Sequence, residues 1–178
     1  MDKKYYKNSP NNSIDNSFTN NILKTHDAKK FHESLKDYKA TPLVHLPNLS
    51  KKYNIGNIYV KDESYRFGLN AFKVLGASYA ISQSLEKNPS IETFCTATDG
   101  NHGRAVAWSA KQTGKKSVVF VPGNTSLKRI KAIEKESAKV IQINGNYDDA
   151  CQEAERISKA NKWTLVQDTA WEGYEEIP

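Results

Sequence analysis

Residues 93–121 read TFCTATDGNHGRAVAWSAKQTGKKSVVFV, and their pattern decides the fold. Thr93–Thr98 is rich in threonine and carries Phe94, the composition of a strand. Asn101–Thr113 holds Ala105, Val106, Ala107, Trp108 and Ala110, so a helix there is apolar nearly all round and belongs in the interior. Ser117–Val121 is a continuous apolar run, the pattern of a strand covered on both faces. Two such strands joined through a buried helix form a parallel pair, because a helical crossover returns the chain to the end from which it started.

The alternation extends in both directions. Downstream, Pro122-Gly123 ends the strand and Asn124 or Thr125 is placed to cap the next helix. Lys139–Ile143 reads as another strand. Asn146 caps a helix with Tyr147, Ala150, Cys151, Ala154 and Ile157 on one face, and Thr164–Gln167 is a last strand before the polar turn at Asp168-Thr169. Upstream, Ile58-Tyr59-Val60 precedes Lys61-Asp62-Glu63, and the helical stretch 72–87 sets Val74, Ala77, Ser78, Ile81 and Leu85 on one side. The expected fold is α/β, an open, twisted, mainly parallel sheet flanked by helices. Residues 1–22 stand apart. Met1–Asn21 is dominated by Asn, Ser and Lys, too polar to bury much surface, and reads as a flexible N-terminal tail.

Composition narrows the function classes. The chain has 178 residues, 26 Lys and Arg against 20 Asp and Glu, and a formal net charge of +6. The densest basic group, Lys128, Arg129 and Lys131, alternates with Leu127, Ile130 and Ile133, as on the solvated face of an amphipathic helix. No aromatics interleave with the basic residues as they do in a strand-binding groove, which argues against nucleic acid. No apolar run approaches a membrane span or a signal-peptide core, so a cytoplasmic protein with no membrane partner is expected. The two cysteines, Cys95 and Cys151, form no framework and read as reduced thiols. His26, His32 and His45 share no metal-ligand spacing, and neither HExxH nor CxxC occurs, so no metal site is expected.

Parallel sheets bind ligands at the carboxyl ends of their strands, and three segments fall there. They are Ser64–Lys73 (SYRFGLNAFK), Thr98–Gly103 (TDGNHG) and Gln167–Tyr174 (QDTAWEGY). Lys73, between Phe72 and Val74 at the head of an apolar helix, is either a lysine that snorkels to water or a Schiff-base lysine. Desolvation and the positive end of a helix would both favour the neutral amine that the second role needs. The TDGNHG loop supplies glycines and backbone N–H groups at a helix start, fit for a carboxylate or phosphate, although a tight turn with a cap has the same composition. Asp168 is a turn cap or a functional carboxylate. Glu172 and Tyr174 are placed at the mouth of such a site.

Taken together, FKVLG at 72–76 and TDGNHG at 98–103 resemble the lysine and asparagine-loop pair of fold-type II pyridoxal phosphate enzymes, which include threonine and serine dehydratases and tryptophan synthase β. The narrower strings KDES at 61–64, RFGLNAFK at 66–73 and QDTAWEGY at 167–174 are similar to the diaminopropionate ammonia-lyase family. The resemblance covers residues 40 to 178. It implies that Lys73 carries pyridoxal 5'-phosphate as a Schiff base beside Phe72, that Asn101 hydrogen-bonds the cofactor's phenolic oxygen, and that Thr98, Asp99, Gly100, Asn101 and His102 hold the substrate carboxylate. The implied reaction is α,β-elimination of ammonia from 2,3-diaminopropionate to pyruvate and ammonia. The simpler dehydratases carry serine at the position of Asp99. A carboxylate there suits a diamine substrate, with Lys73 and Asp99 deprotonating opposite enantiomers and Asp168 placing the amine.

The family also implies a division into the opening of a larger domain, residues 23–69, and a small α/β domain, residues 70–178. Its members form homodimers and continue well beyond position 178, into a glycine-rich phosphate cradle that has no counterpart in this sequence. The expectation is therefore a truncated chain with its activity in question, a fragment or one half of a split enzyme with a companion C-terminal chain. The alternatives are a threonine or serine dehydratase-like lyase and, from another class, a non-catalytic α/β binding module, although no GxGxxG or GxxxxGK[ST] follows any strand.

Overall fold

In the computed structural model, which describes residues 27–175 and 177, helix α1 (Asp27–Ser34) comes first. Strands β1 (Leu43–His45) and β2 (Tyr59–Lys61) then pair antiparallel, with helix α2 (Pro47–Tyr53) between them. A 3-10 turn at Glu63–Tyr65 leads into α3 (Lys73–Lys87), β3 (Thr93–Ala97), α4 (Asn101–Gln112), β4 (Lys116–Pro122) and α5 (Leu127–Glu134). The last elements are β5 (Lys139–Ile143), α6 (Tyr147–Asn161) and β6 (Thr164–Leu165). The polar run 1–21 and His26 lie outside the described residues.

The four-stranded sheet has the order β5-β4-β3-β6, and every neighbouring pair is parallel. Its burial follows the period of two along the strands. Val119 and Val121 of β4 pack with Ala107, Ile130 and Ile133 of α4 and α5, whereas Val118 and Phe120 pack with Ala150 and Ala154 of α6. In β3, Phe94 joins Val74, Ala77 and Ile81 of α3 and Val106 of α4, and Cys95 and Ala97 face α6. Helices α3, α4 and α5 therefore cover one face and α6 the other, which is why SVVFV shows no polar residue between its valines. Helix α4 buries seven of its residues, from His102 to Ala110, as its all-round apolar surface requires.

Two local expectations are corrected. The N-cap of α5 is Ser126, not Asn124 or Thr125. The Thr125 N–H is already used in a turn, donating to Pro122 O at 3.0 Å, so the helix starts after it. The last strand pairs only through Leu165 and does not reach Gln167. The Ala97 N–H that would continue the ladder donates instead to the Gln167 side-chain oxygen at 3.0 Å.

The strand order places the site. β3, β4 and β5 step one way across the sheet, and β6 returns to the free edge of β3. The α4 crossover that leaves β3 lies on one face and the α6 crossover that enters β6 on the other, so the crevice at the carboxyl ends of these two strands is a topological switch point, where open α/β sheets take their ligands.

Candidate active site

Lys73 is delivered by a segment held at several points. The buried Arg66 guanidinium donates to both Glu63 carboxylate oxygens at 2.8 and 3.0 Å, to Lys39 O at 2.9 Å and to Thr41 Oγ1 at 3.2 Å. Arg104 of α4 reaches across to donate to Leu69 O at 3.1 Å. Between these anchors Phe67, Gly68 and Asn70 take positive φ, and the chain turns sharply enough to start α3 at Lys73. The Lys73 amine emerges at the crevice and donates to Asp168 Oδ2 at 2.6 Å. Its side chain is 37% exposed and that of Asp168 25%, so the pair sits at the rim of the interior. The Lys73 amine is thus paired with a carboxylate and partly open to water.

The carboxyl end of β3 supplies the second wall. Thr98 donates its N–H to Phe120 O at 2.9 Å, and its hydroxyl accepts from the Gly100 N–H at 3.0 Å, which shapes the loop before α4. Asp99 and Asn101 make no side-chain hydrogen bond within the described residues, and both line the same cavity, of about 430 Å³, with Lys73, Gly100, His102 and Asp168. The volume falls in the range of small-molecule sites. A smaller cavity of about 230 Å³ lies on the other side of the pair, lined by Phe72, Gly76, Ala77 and Val166 and sharing Lys73, His102 and Asp168 with the first. The structure thus gathers Lys73, Thr98, Asp99, Gly100, Asn101, His102 and Asp168 around one space and sets Phe72 in the adjoining one. The Phe72 ring centroid is 5.6 Å from the Lys73 amine. Glu172 and Tyr174 line a separate cleft beside Lys159 and Trp163.

Electrostatics divides the ionisable groups. Burial alone raises the Asp168 carboxyl, but the hydrogen bond from Lys73, the charge that His102 takes on in acid and the charge of Lys73 outweigh it, and the group titrates below the ordinary carboxylate range. His102 is buried, and desolvation lowers its pKa in spite of Asp168. Its Nε2 lies 2.9 Å from Val166 O, and a carbonyl only accepts, so Nε2 carries the proton of the neutral ring. Nδ1 then turns a lone pair toward Asp168, 3.7 Å away. Across the crevice His102 is a neutral wall and strand anchor. An amine, two carboxylates, a carboxamide and the N–H groups at the start of α4 are the materials for proton transfer beside a bound anion.

Three further residues belong to the site. Arg129, on what the sequence presents as a solvated helix face, lines the cavity and lies over Gly100, its Nε 3.9 Å from the point a Cβ there would occupy. Tyr147 lines it from the head of α6, and Gln167 stands behind Asp168. Only QDTAWEGY pointed at any of the three. Arg129 and Tyr147 sit on periodic helix faces, where spacing signals packing and nothing else.

A family model for pyridoxal-phosphate-dependent enzymes matches residues 35–177. The diaminopropionate ammonia-lyase of Salmonella typhimurium is 45% identical over 174 residues, covering 86% of this chain and 43% of that protein. The crystal structure of the Escherichia coli diaminopropionate ammonia-lyase in complex with an aminoacrylate–PLP azomethine reaction intermediate is similar at a TM-score of 0.81 and 43% identity, over 85% of this chain and 42% of that one. The biosynthetic L-threonine dehydratase of Haemophilus influenzae is 34% identical over 128 residues, 72% of this chain and 24% of that protein. The chain spans less than half the length of these relatives.

Proposed function

The chain belongs to the family of pyridoxal-phosphate-dependent enzymes, and from that premise we propose that its reaction is the α,β-elimination of ammonia from 2,3-diaminopropionate, giving pyruvate and ammonia. One observation carries the reading: the Lys73 amine and the Asp168 carboxylate meet at 2.6 Å in a cavity also lined by Asp99 and Asn101. An amine, a free carboxamide and the N–H groups at the start of α4 fit the cofactor's aldehyde, phenolic oxygen and anionic surroundings. Lys73 would hold the group covalently, Asn101 would hydrogen-bond its phenolic oxygen, and Phe72 would pack beside the lysine. When bound, pyridoxal phosphate supplies an electron sink for the charge left at Cα.

The chain's own residues account for the handling of protons and charge. Asp168 Oδ2 faces Lys73 Nζ and holds that amine at the crevice until it reacts. Once Lys73 is engaged elsewhere, the same carboxylate is free to pair with the second ammonium of a diamine. Lys73 deprotonates one enantiomer at Cα, and Asp99, on the loop after β3, deprotonates the other. The N–H groups of Asp99, Asn101 and His102, that of Gly100 being taken by the Thr98 hydroxyl, hold the substrate carboxylate. In this reading residues 70–178 form the small domain and residues 23–69 the opening of a larger one. The exposed apolar side chains of β1 and β2, Leu43, Val44, Tyr59 and Val60, support an assembly, such as a homodimer, in which that pair is covered. The free thiols Cys95 and Cys151 support a reducing cytoplasmic setting, and the products make the role catabolic.

The test is to add pyridoxal phosphate to the chain, reduce with borohydride and map the adduct by mass spectrometry. An adduct on Lys73 is expected, and its loss in Lys73→Ala. An unmodified Lys73 beside labelled surface lysines would sink the reading. Turnover of diaminopropionate against serine and threonine separates it from a dehydratase, and Asp99→Asn is expected to lose one enantiomer and keep the other.

A further inference from the structure

We infer that Gln167 is the positioning residue of this site, one side chain that sets both the Lys73–Asp168 pair and the Tyr147 hydroxyl against the cavity; its chemical meaning rests on the reading above. Gln167 is 2% exposed. A carboxamide offers two acceptor and two donor positions, and all four are occupied. Oε1 accepts from the Thr96 hydroxyl at 2.8 Å and from the Ala97 N–H at 3.0 Å. Nε2 donates to the Tyr147 hydroxyl oxygen at 3.0 Å and to Cys151 Sγ at 3.4 Å. A backbone N–H only donates, so Ala97 dictates which end of the carboxamide is oxygen, and a flip would leave buried partners unpaired.

The backbone of Gln167 is held as firmly. Its N–H donates to the Tyr174 hydroxyl at 2.8 Å, and that hydroxyl donates to Leu165 O at 3.0 Å. One residue thus joins β3, α6 and the turn at Trp171–Tyr174, and the next residue in the chain is Asp168. The Asp168 carboxylate leaves this clamp directed at Lys73. On the other side, Nε2 occupies the Tyr147 oxygen as acceptor, so the phenol's own hydrogen turns away from Gln167, toward the cavity or toward Cys151. Burial pushes the Tyr147 phenol up to about 12, which keeps that hydrogen in place. Turned to the cavity, the Tyr147 hydroxyl is a donor for an anionic or carbonyl oxygen of the ligand in place of its bond to Cys151, and Gln167 orients it.

The experiment follows the Asp168 carboxyl by carbon-detected NMR through a pH titration of the whole chain, without cofactor. The groups facing it are Lys73 of α3, His102 of α4, Tyr147 and Cys151 of α6, and Tyr174. Gln167→Met keeps the side chain's length and deletes its four bonds. The Asp168 midpoint is expected to rise by about one pH unit as the Lys73 pairing loosens. Thr96→Val, which removes one bond at nearly constant shape, is expected to move it the same way by less, and serves should Gln167→Met fail to fold. Val140→Ala, on β5 in the core and outside the cavity lining, destabilises without touching the clamp and is expected to leave the midpoint in place. If the folded Gln167 and Thr96 variants titrate as wild type, or Val140→Ala shifts Asp168 equally, the positioning role is overturned. The borohydride adduct on Lys73 reports separately: a shift in Asp168 with no adduct would leave the clamp standing and remove the cofactor reading.

Discussion

A Cβ added to Gly103 would lie 2.2 Å from Thr98 Cγ2 and 2.7 Å from Val119 Cγ1, distances that side chains do not share. The glycine lets α4 sit directly on β3 and β4, and the contact it permits involves the threonine whose hydroxyl accepts from the Gly100 N–H. Gly103→Ala should therefore destabilise the chain by about 1–3 kcal/mol, the usual range for overpacking a close interior contact. It should also shift the asparagine loop, read as changed amide resonances at Gly100 and Asn101 in addition to a lower urea midpoint. Unfolding at the wild-type midpoint with those resonances unmoved would mean that α4 has slack the distances do not show. At this scale the sequence was informative wherever a motif is contiguous, as for Lys73, Asp99 and Asn101. It was silent on Tyr147, Arg129 and the role of Gln167, because each acts through side-chain neighbours 16 to 71 positions away or through a loop from another crossover.

Helix α6 shows how an element carries a site residue. The Asn146 side chain accepts from the Asp149 N–H at 3.0 Å, and the Asp149 carboxylate accepts from the Asn146 N–H at 2.8 Å, a reciprocal capping box. Tyr147 is the first residue inside that cap, so the two bonds that start the helix also hold the phenol at the cavity. Asn146→Ala is expected to cost about 1 kcal/mol and to raise amide exchange in the first turn of α6 well before the sheet exchanges. Uniform protection across α6 in the variant would show that packing through Ala150 and Ala154 holds the turn unaided. The asparagine cap is legible because it is local. The end of β6 is not: alternation carries the expected strand through Gln167, and the ladder stops because a side chain takes the Ala97 N–H. A competition between a main-chain and a side-chain acceptor leaves no periodic trace. The same applies to the strand order, since β6 pairing with β3 and not β5 depends on α6 crossing the opposite face.

Over the whole molecule, the buried ionisable groups set a window of pH in which the fold is most stable. On the acid side, His102 and Asp168 titrate below their ordinary values in the folded chain, and so does Glu63, chiefly through its hydrogen bond from Arg66. Each binds protons more readily when unfolded, so each contributes stability that is present above its unfolded pKa and lost as pH falls toward the folded one. His102 acts first, below about pH 6.5, and the carboxylates follow below about pH 4.5. On the alkaline side the sign reverses. Burial pushes the Cys95 thiol and the Tyr147 and Tyr174 phenols up to about 12, so the unfolded chain loses its protons first. Stability then falls as pH rises past the ordinary thiol value of about 8.5 and further past about 10. The melting temperature measured at constant ionic strength should hold level near pH 7–8 and decline on both sides, with a first acid step between about pH 6.5 and 5. His102→Gln should flatten that first step and leave the alkaline limb unchanged. A wild-type melting temperature that stays level down to pH 5 would show that His102 protonates freely in the folded chain, and the neutral wall assigned to it beside Asp168 would have to be abandoned.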